Sequence, residues 1–122
     1  MNANNINGNI EIVVKALDAK KAVDIKVLDV SALTTLTDYF VIATGKSNTQ
    51  VQALCDFVEE KMAEAGKTLI NKEGYNSAEW ILLGYDDVIV HIFYSETRDF
   101  YALEHIWKDA EEVNIDCLLD LD

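Results

Sequence analysis

The chain has no proline, one arginine (Arg98) and only two cysteines in 122 residues. Without proline, turns and helix ends must be made by Gly, Asn and Asp. Cys55 and Cys117 lie far apart, with no CxxC or Cys/His ligand spacing around them. Neither a disulfide framework nor a metal site is indicated, and both read as reduced thiols of a cytoplasmic protein. Ten basic residues stand against 22 acidic ones, a formal net charge of -12. Such a chain lacks the basic footprint that displaces phosphate counterions, so direct nucleic-acid binding is disfavoured. A basic protein partner suits it by sign, although acid of this kind also serves solubility. No apolar run approaches the roughly 20 residues of a membrane-spanning helix. The Asn-rich residues 1–9 carry neither a signal peptide's regions nor a transit peptide's Arg/Ser pattern, and read as a disordered N-terminal segment.

What is present is 50% hydrophobic residues. A chain of this length fits one compact domain that buries roughly two thirds of its unfolded surface. Its centre is the stretch from Glu79 to Tyr94, EWILLGYDDVIVHIFY, where two apolar runs flank Gly84, Tyr85, Asp86 and Asp87. That is the composition of a β-hairpin. With Tyr85 and Asp86 as the loop, Leu82 faces Ile89, Trp80 faces His91 and Ala78 faces Phe93. Alternation then places Trp80, Leu82, Ile89, His91 and Phe93 on one face and Ile81, Leu83, Val88, Val90 and Ile92 on the other. Both faces are apolar, so both need a cover.

Along the chain, Ile10, Val13, Val14 and Leu17 recur at helical spacing and predict a first helix over 10–22 with a basic last turn. Residues 25–30 and 39–44 read as strands, joined by a connection too short for a helical crossover and therefore antiparallel. Ser47 with Gln50 fits a capping box for a helix whose apolar stripe is Val51, Leu54, Cys55, Val58 and Met62, closed by Gly66. A third strand is expected at 68–71, parallel to the second across that helix. After the hairpin, Ser95 or Thr97 caps a last helix carrying Phe100, Leu103, Trp107 and Ala110. Residues 111–122 form an acidic tail that frays, docks on the sheet or adds a strand to a partner, with partial disorder the expectation. The sum is a single α/β domain over 10–110, a mixed sheet of about five strands with about three helices packed on it.

Chemistry finds little foothold. Gly45, Lys46 and Ser47 sit where a Walker A loop ends, but that loop needs a glycine where Phe40 stands, so a helix cap is the better reading. A nucleotidyltransferase site needs carboxylates paired along strands to hold magnesium. Asp86 and Asp87 are adjacent in a turn and cannot both point the same way. His91 and His105 have no third ligand, and no serine or cysteine has the setting of a nucleophile. No catalytic residue, metal or cofactor is expected.

The residues do carry a resemblance. Leu28-Asp29-Val30, Thr37-Asp38 with the apolar strand to Ile42, Thr44-Gly45 with Ser47, Glu73-Gly74 with Ala78-Glu79-Trp80, Asp87-Val88 through Val90-His91, and Arg98 followed by Tyr101, Leu103-Glu104 and Trp107 occur in order and spacing. From about Ile10 to Ala110 the chain resembles the Iojap-like ribosomal silencing factors. The resemblance implies a nucleotidyltransferase-like scaffold without the catalytic carboxylates, and a non-enzymatic protein, often a homodimer. It implies binding to the large ribosomal subunit through that subunit's fourteenth protein, which blocks joining of the small subunit and represses translation in nutrient limitation or stationary phase. Trp80, Leu82, Leu83 and Tyr85 are the implied partner-binding residues, with Asp87 and His91 in support. The chain departs from the family in the turn, where Asp, a variable residue, Gly, Asp is usual. Asp86 is therefore expected to take the glycine's positive φ, and to stand in for a carboxylate missing at position 84. The alternative is a nucleotide-binding enzyme with a degenerate nucleotidyltransferase site.

Overall fold

The structure, a computed structural model, describes residues 8–95 and 109–119. In order these form α1 (Gly8–Ala19), β1 (Val23–Asp29), β2 (Tyr39–Gly45), α2 (Asn48–Glu64), β3 (Asn71–Glu73), β4 (Trp80–Gly84), β5 (Val88–Tyr94) and β6 (Glu111–Glu112), then a 3-10 turn at Asp116–Leu118. One mixed sheet runs β3-β4-β5-β2-β1-β6. β2 and β5 are parallel neighbours at its centre, and every other pairing is antiparallel. The α/β class and the antiparallel β1–β2 pair are as the sequence predicts. The predicted last helix falls largely on 96–108, outside the described residues.

Three expectations change. The parallel crossover from β2 through α2 reaches β5 rather than the third strand, which lies at 71–73 on the far edge, antiparallel to β4. The reason is composition: β2 and β5 are buried almost throughout, whereas Asn71, Lys72 and Glu73 are all exposed and suit only an edge. The first helix stops at Ala19, so its last turn is not basic. Lys21 takes φ 69°, and Ala22 N–H donates to the Leu17 carbonyl at 3.0 Å, closing the helix in a Schellman-type turn made by lysine. Part of the acidic tail is drawn into the sheet: β6 pairs with β1, Val113 N–H donates to the Val27 carbonyl at 2.8 Å, and Ile115 is buried.

α1 and α2 lie together over one face of the sheet. Ile10, Val13, Val14 and Leu17 meet Val51, Leu54, Val58 and Met62 there, above Val27, Val41, Ile81, Leu83, Val90 and Ile92. Half of the expected capping box forms, with Gln50 N–H donating to Ser47 Oγ at 3.0 Å, while Gln50 Oε1 accepts at 2.7 Å from Lys46 N–H, one residue before the cap. Gly66 at φ 79° closes the other end. A smaller apolar layer on the opposite face holds Leu28, Val30, Phe40, Ile42 and Phe93, with Trp80 and Ile89 half-buried at its rim.

Candidate functional site

The hairpin brings the expected site residues into one element but divides them between its faces. Its register differs by two residues from the expected one: Trp80 pairs with Phe93, Leu82 with His91 and Gly84 with Ile89. The loop is Asp86 and Asp87, because Tyr85, immediately after β4, still donates its N–H across the hairpin to the Val88 carbonyl at 2.8 Å. Tyr85 is 5% exposed, in the core under the helices. Burying a phenol ring outweighs leaving it in a turn. A shift of two leaves the faces as predicted, where a shift of one would have exchanged them.

On the Trp80 face, Trp80 Nε1–H donates to His91 Nδ1 at 3.1 Å, and the indole stacks on Phe93 with ring centres 5.0 Å apart. Phe40 meets His91 edge-on at 4.8 Å. His91 is therefore not opposite Trp80 but diagonal to it, the second-nearest cross-strand position. Because its Nδ1 accepts, the neutral ring carries its proton on Nε2, which is buried and has no partner among the described residues. Burial holds the imidazole down, to about 4, so it is neutral at physiological pH. Leu82 is half-buried beside this cluster.

Leu83 and Tyr85 are corrected as contact residues: both lie inside the core between sheet and helices, Leu83 with no exposed surface. They can shape a partner-binding surface but cannot touch a partner. Burial, followed by the charges of Glu59 and Cys55, pushes the Tyr85 phenol up to about 12. Asp87 is half-buried. Its Oδ1 accepts from Asn9 Nδ2 at 2.7 Å, and its carbonyl accepts the N–H groups of Asp38 and Tyr39. Asp86 is exposed and does not take positive φ, contrary to expectation. The φ-positive residues near the hairpin are instead Gly74 and Ala78, in the loop that leads into β4. A side chain on Gly74 would collide with the Trp80 carbonyl. Asn48 Nδ2 holds the Ala78 carbonyl at 3.1 Å, so the start of α2 fixes where Trp80 emerges.

Two other candidates resolve into structure. A Cβ on Gly45 would come within 2.9 Å of Val51 Cγ2, so that glycine serves the close approach of β2 and α2. The neighbouring N–H groups that would cradle a phosphate are occupied by the α2 cap. Cys55, Asp56 and Glu59 offer ligand atoms within 4.8 Å of one another, a grouping that sequence reading missed because it spans one helical turn. Glu59 is taken by Lys72 at 2.6 Å and by the Cys55 thiol, and Asp56 by the Tyr75 hydroxyl. Burial and Glu59 push the thiol up to about 12, away from the thiolate a metal requires. The trio fastens β3 and the 74–79 loop to α2.

With this geometry in place, the comparisons with known proteins are decisive. Residues 3–121 match the family described as ribosomal silencing factor during starvation. The chain belongs to the ribosomal silencing factor family. The Bacillus subtilis ribosomal silencing factor is 36% identical, over 88% of this chain and 91% of its own length. A crystal structure of a Chromobacterium violaceum protein superposes with a TM-score of 0.80 at 40% identity, over 82% of this chain and 83% of that one. A mouse protein named for mitochondrial assembly of the ribosomal large subunit is 28% identical over 81% of this chain, which spans 45% of that relative.

Proposed function

We propose that this chain is a non-enzymatic, cytoplasmic silencing factor that binds the large ribosomal subunit and keeps the small subunit from joining it. The reading rests on the family match across residues 3–121. The partner it favours is the fourteenth protein of the large subunit, and the setting is nutrient limitation or stationary phase, as the resemblance implies. A net charge of -12 supports a basic ribosomal protein over ribosomal RNA as the direct contact. Trp80, Leu82 and Asp87 form the contact, His91 sets the indole, and Leu83 and Tyr85 hold the strand from beneath. A homodimer is the expected state of the free protein.

The test is sedimentation of the purified chain with isolated large subunits. Wild-type protein co-sediments and reduces light scattering from re-formed ribosomes when small subunits are added. Trp80→Ala weakens binding about tenfold or more, the scale of an aromatic anchor. Failure of wild-type protein to co-sediment at low salt overturns the reading.

A further inference from the structure

The described residues expose three large hydrophobic side chains, Leu33 at 44%, Leu36 at 82% and Ile70 at 68%. All three lie at one end of the sheet. Leu33 and Leu36 belong to the 31–38 connection between β1 and β2, and Ile70 immediately precedes β3. Both segments are fastened to the same hairpin turn. Ile70 N–H donates to the Gly84 carbonyl at 2.8 Å, and Asp38 and Tyr39 donate to the Asp87 carbonyl at 3.2 and 3.1 Å. β3 and β2 are separated by β4 and β5, so the two segments stand about 14 Å apart with the turn between them.

The 31–38 loop is not slack. Leu33 and Thr34 N–H groups donate to the Val30 carbonyl, Val30 N–H to the Asp38 carbonyl, and Leu36 N–H to Thr34 Oγ1. Ser31 Oγ donates to Asp29 Oδ1 at 2.6 Å. Local turns thus hold the leucines outward, Leu36 almost fully and Leu33 in part. The surroundings are acidic. Asp29, Asp38 and Asp87 all raise the Tyr39 phenol after burial, and Asp86 is exposed at the turn. Lys67 is the base that lines the recess beside Asp86 and Ile70.

We propose that Leu33, Leu36 and Ile70 form an apolar ridge, interrupted by Asp86 at the turn and flanked by Asp29 and Asp38, that docks on a basic protein surface of the large ribosomal subunit. The ridge rests on the ribosome-binding reading and extends its contact from the hairpin to the loop beside it. The sign of the flanking charge selects a basic partner, and the protruding leucines select one with a shallow apolar groove.

The test uses the full chain with Leu33→Ser and Leu36→Ser together, and separately with Ile70→Ser. Leu36 and Ile70 are mostly exposed and Leu33 nearly half so, so the variants stay folded and thermal melting falls by about 5 °C or less. The double variant binds isolated large subunits at least about tenfold more weakly than wild type, and Ile70→Ser shows a smaller loss. If Trp80→Ala weakens binding while the double variant binds as wild type does, the ridge is overturned and the hairpin reading stands. If wild-type protein does not bind, both fall. If the double variant alters only self-association in sedimentation velocity, the ridge is a contact between copies of this chain and the proposal is overturned.

Discussion

The two faces of the β4–β5 hairpin carry comparable apolar mass in different company. Under the helices, Ile81, Leu83, Val88, Val90 and Ile92 are fully buried among aliphatic neighbours. On the other face three of the five hairpin side chains, Trp80, His91 and Phe93, are aromatic, and Trp80, Leu82 and Ile89 are only half-buried. Aliphatic packing is non-directional and contributes stability. A tryptophan hydrogen-bonded to a buried histidine is held in one orientation, which lowers the ordering cost of presenting it to a partner. The same ribbon of chain is scaffold on one side and candidate recognition surface on the other.

Adjacent leucines give the sharpest way to break this contrast. Leu83→Ala opens a cavity in the core and costs about 3 kcal/mol in urea unfolding, while the folded fraction binds large subunits unchanged. Leu82→Ala costs about 1 kcal/mol but weakens binding several-fold. Equal effects of the two on both readouts would erase the distinction between the faces.

The buried histidine gives the next effect. Its folded-state value of about 4 lies below the ordinary 6.5, so the unfolded chain binds more protons between these limits. The His91 contribution is therefore fully present above pH 6.5 and is lost as pH falls towards 4, roughly 3 kcal/mol over the whole window. Urea unfolding of wild type and His91→Phe across this range measures it. The variant loses less stability on acidification than wild type, and parallel curves would show that His91 titrates normally.

Smallest is the indole hydrogen bond. Trp80→Phe keeps a ring on Phe93 but removes the donor to His91, and costs about 1 kcal/mol in thermal or urea unfolding. No change would mean that stacking alone positions Trp80.

Much of this arrangement is legible in the sequence. The period-two pattern from Trp80 to Phe93 assigns every residue to its observed face, and Ser47, Gln50 and Gly66 mark both ends of α2. The register was not legible, because Tyr85 reads equally as turn or strand until the core that accepts its ring is known. The place of β3 depends on which strands are buried on both faces, a property of the whole sheet rather than of residues 68–73. Positive φ at Lys21, Asp24 and Ala78 carries no glycine signal at all. Leu33 and Leu36 sit in a connection whose short length sets strand direction, and nothing in their spacing says that they face solvent. For the site, the Trp80 strand follows from the resemblance, but the burial of Leu83 and Tyr85 does not.

Amide hydrogen exchange of the chain, alone and bound to isolated large subunits, separates the hairpin turn and its neighbouring loop from the helical face. Binding is expected to protect residues 31–38 and 80–87 and to leave the outer surface of α1 and α2 around Phe57 unchanged. Protection confined to the helices, with the hairpin turn and the 31–38 loop exchanging as in the free protein, would contradict the hairpin contact.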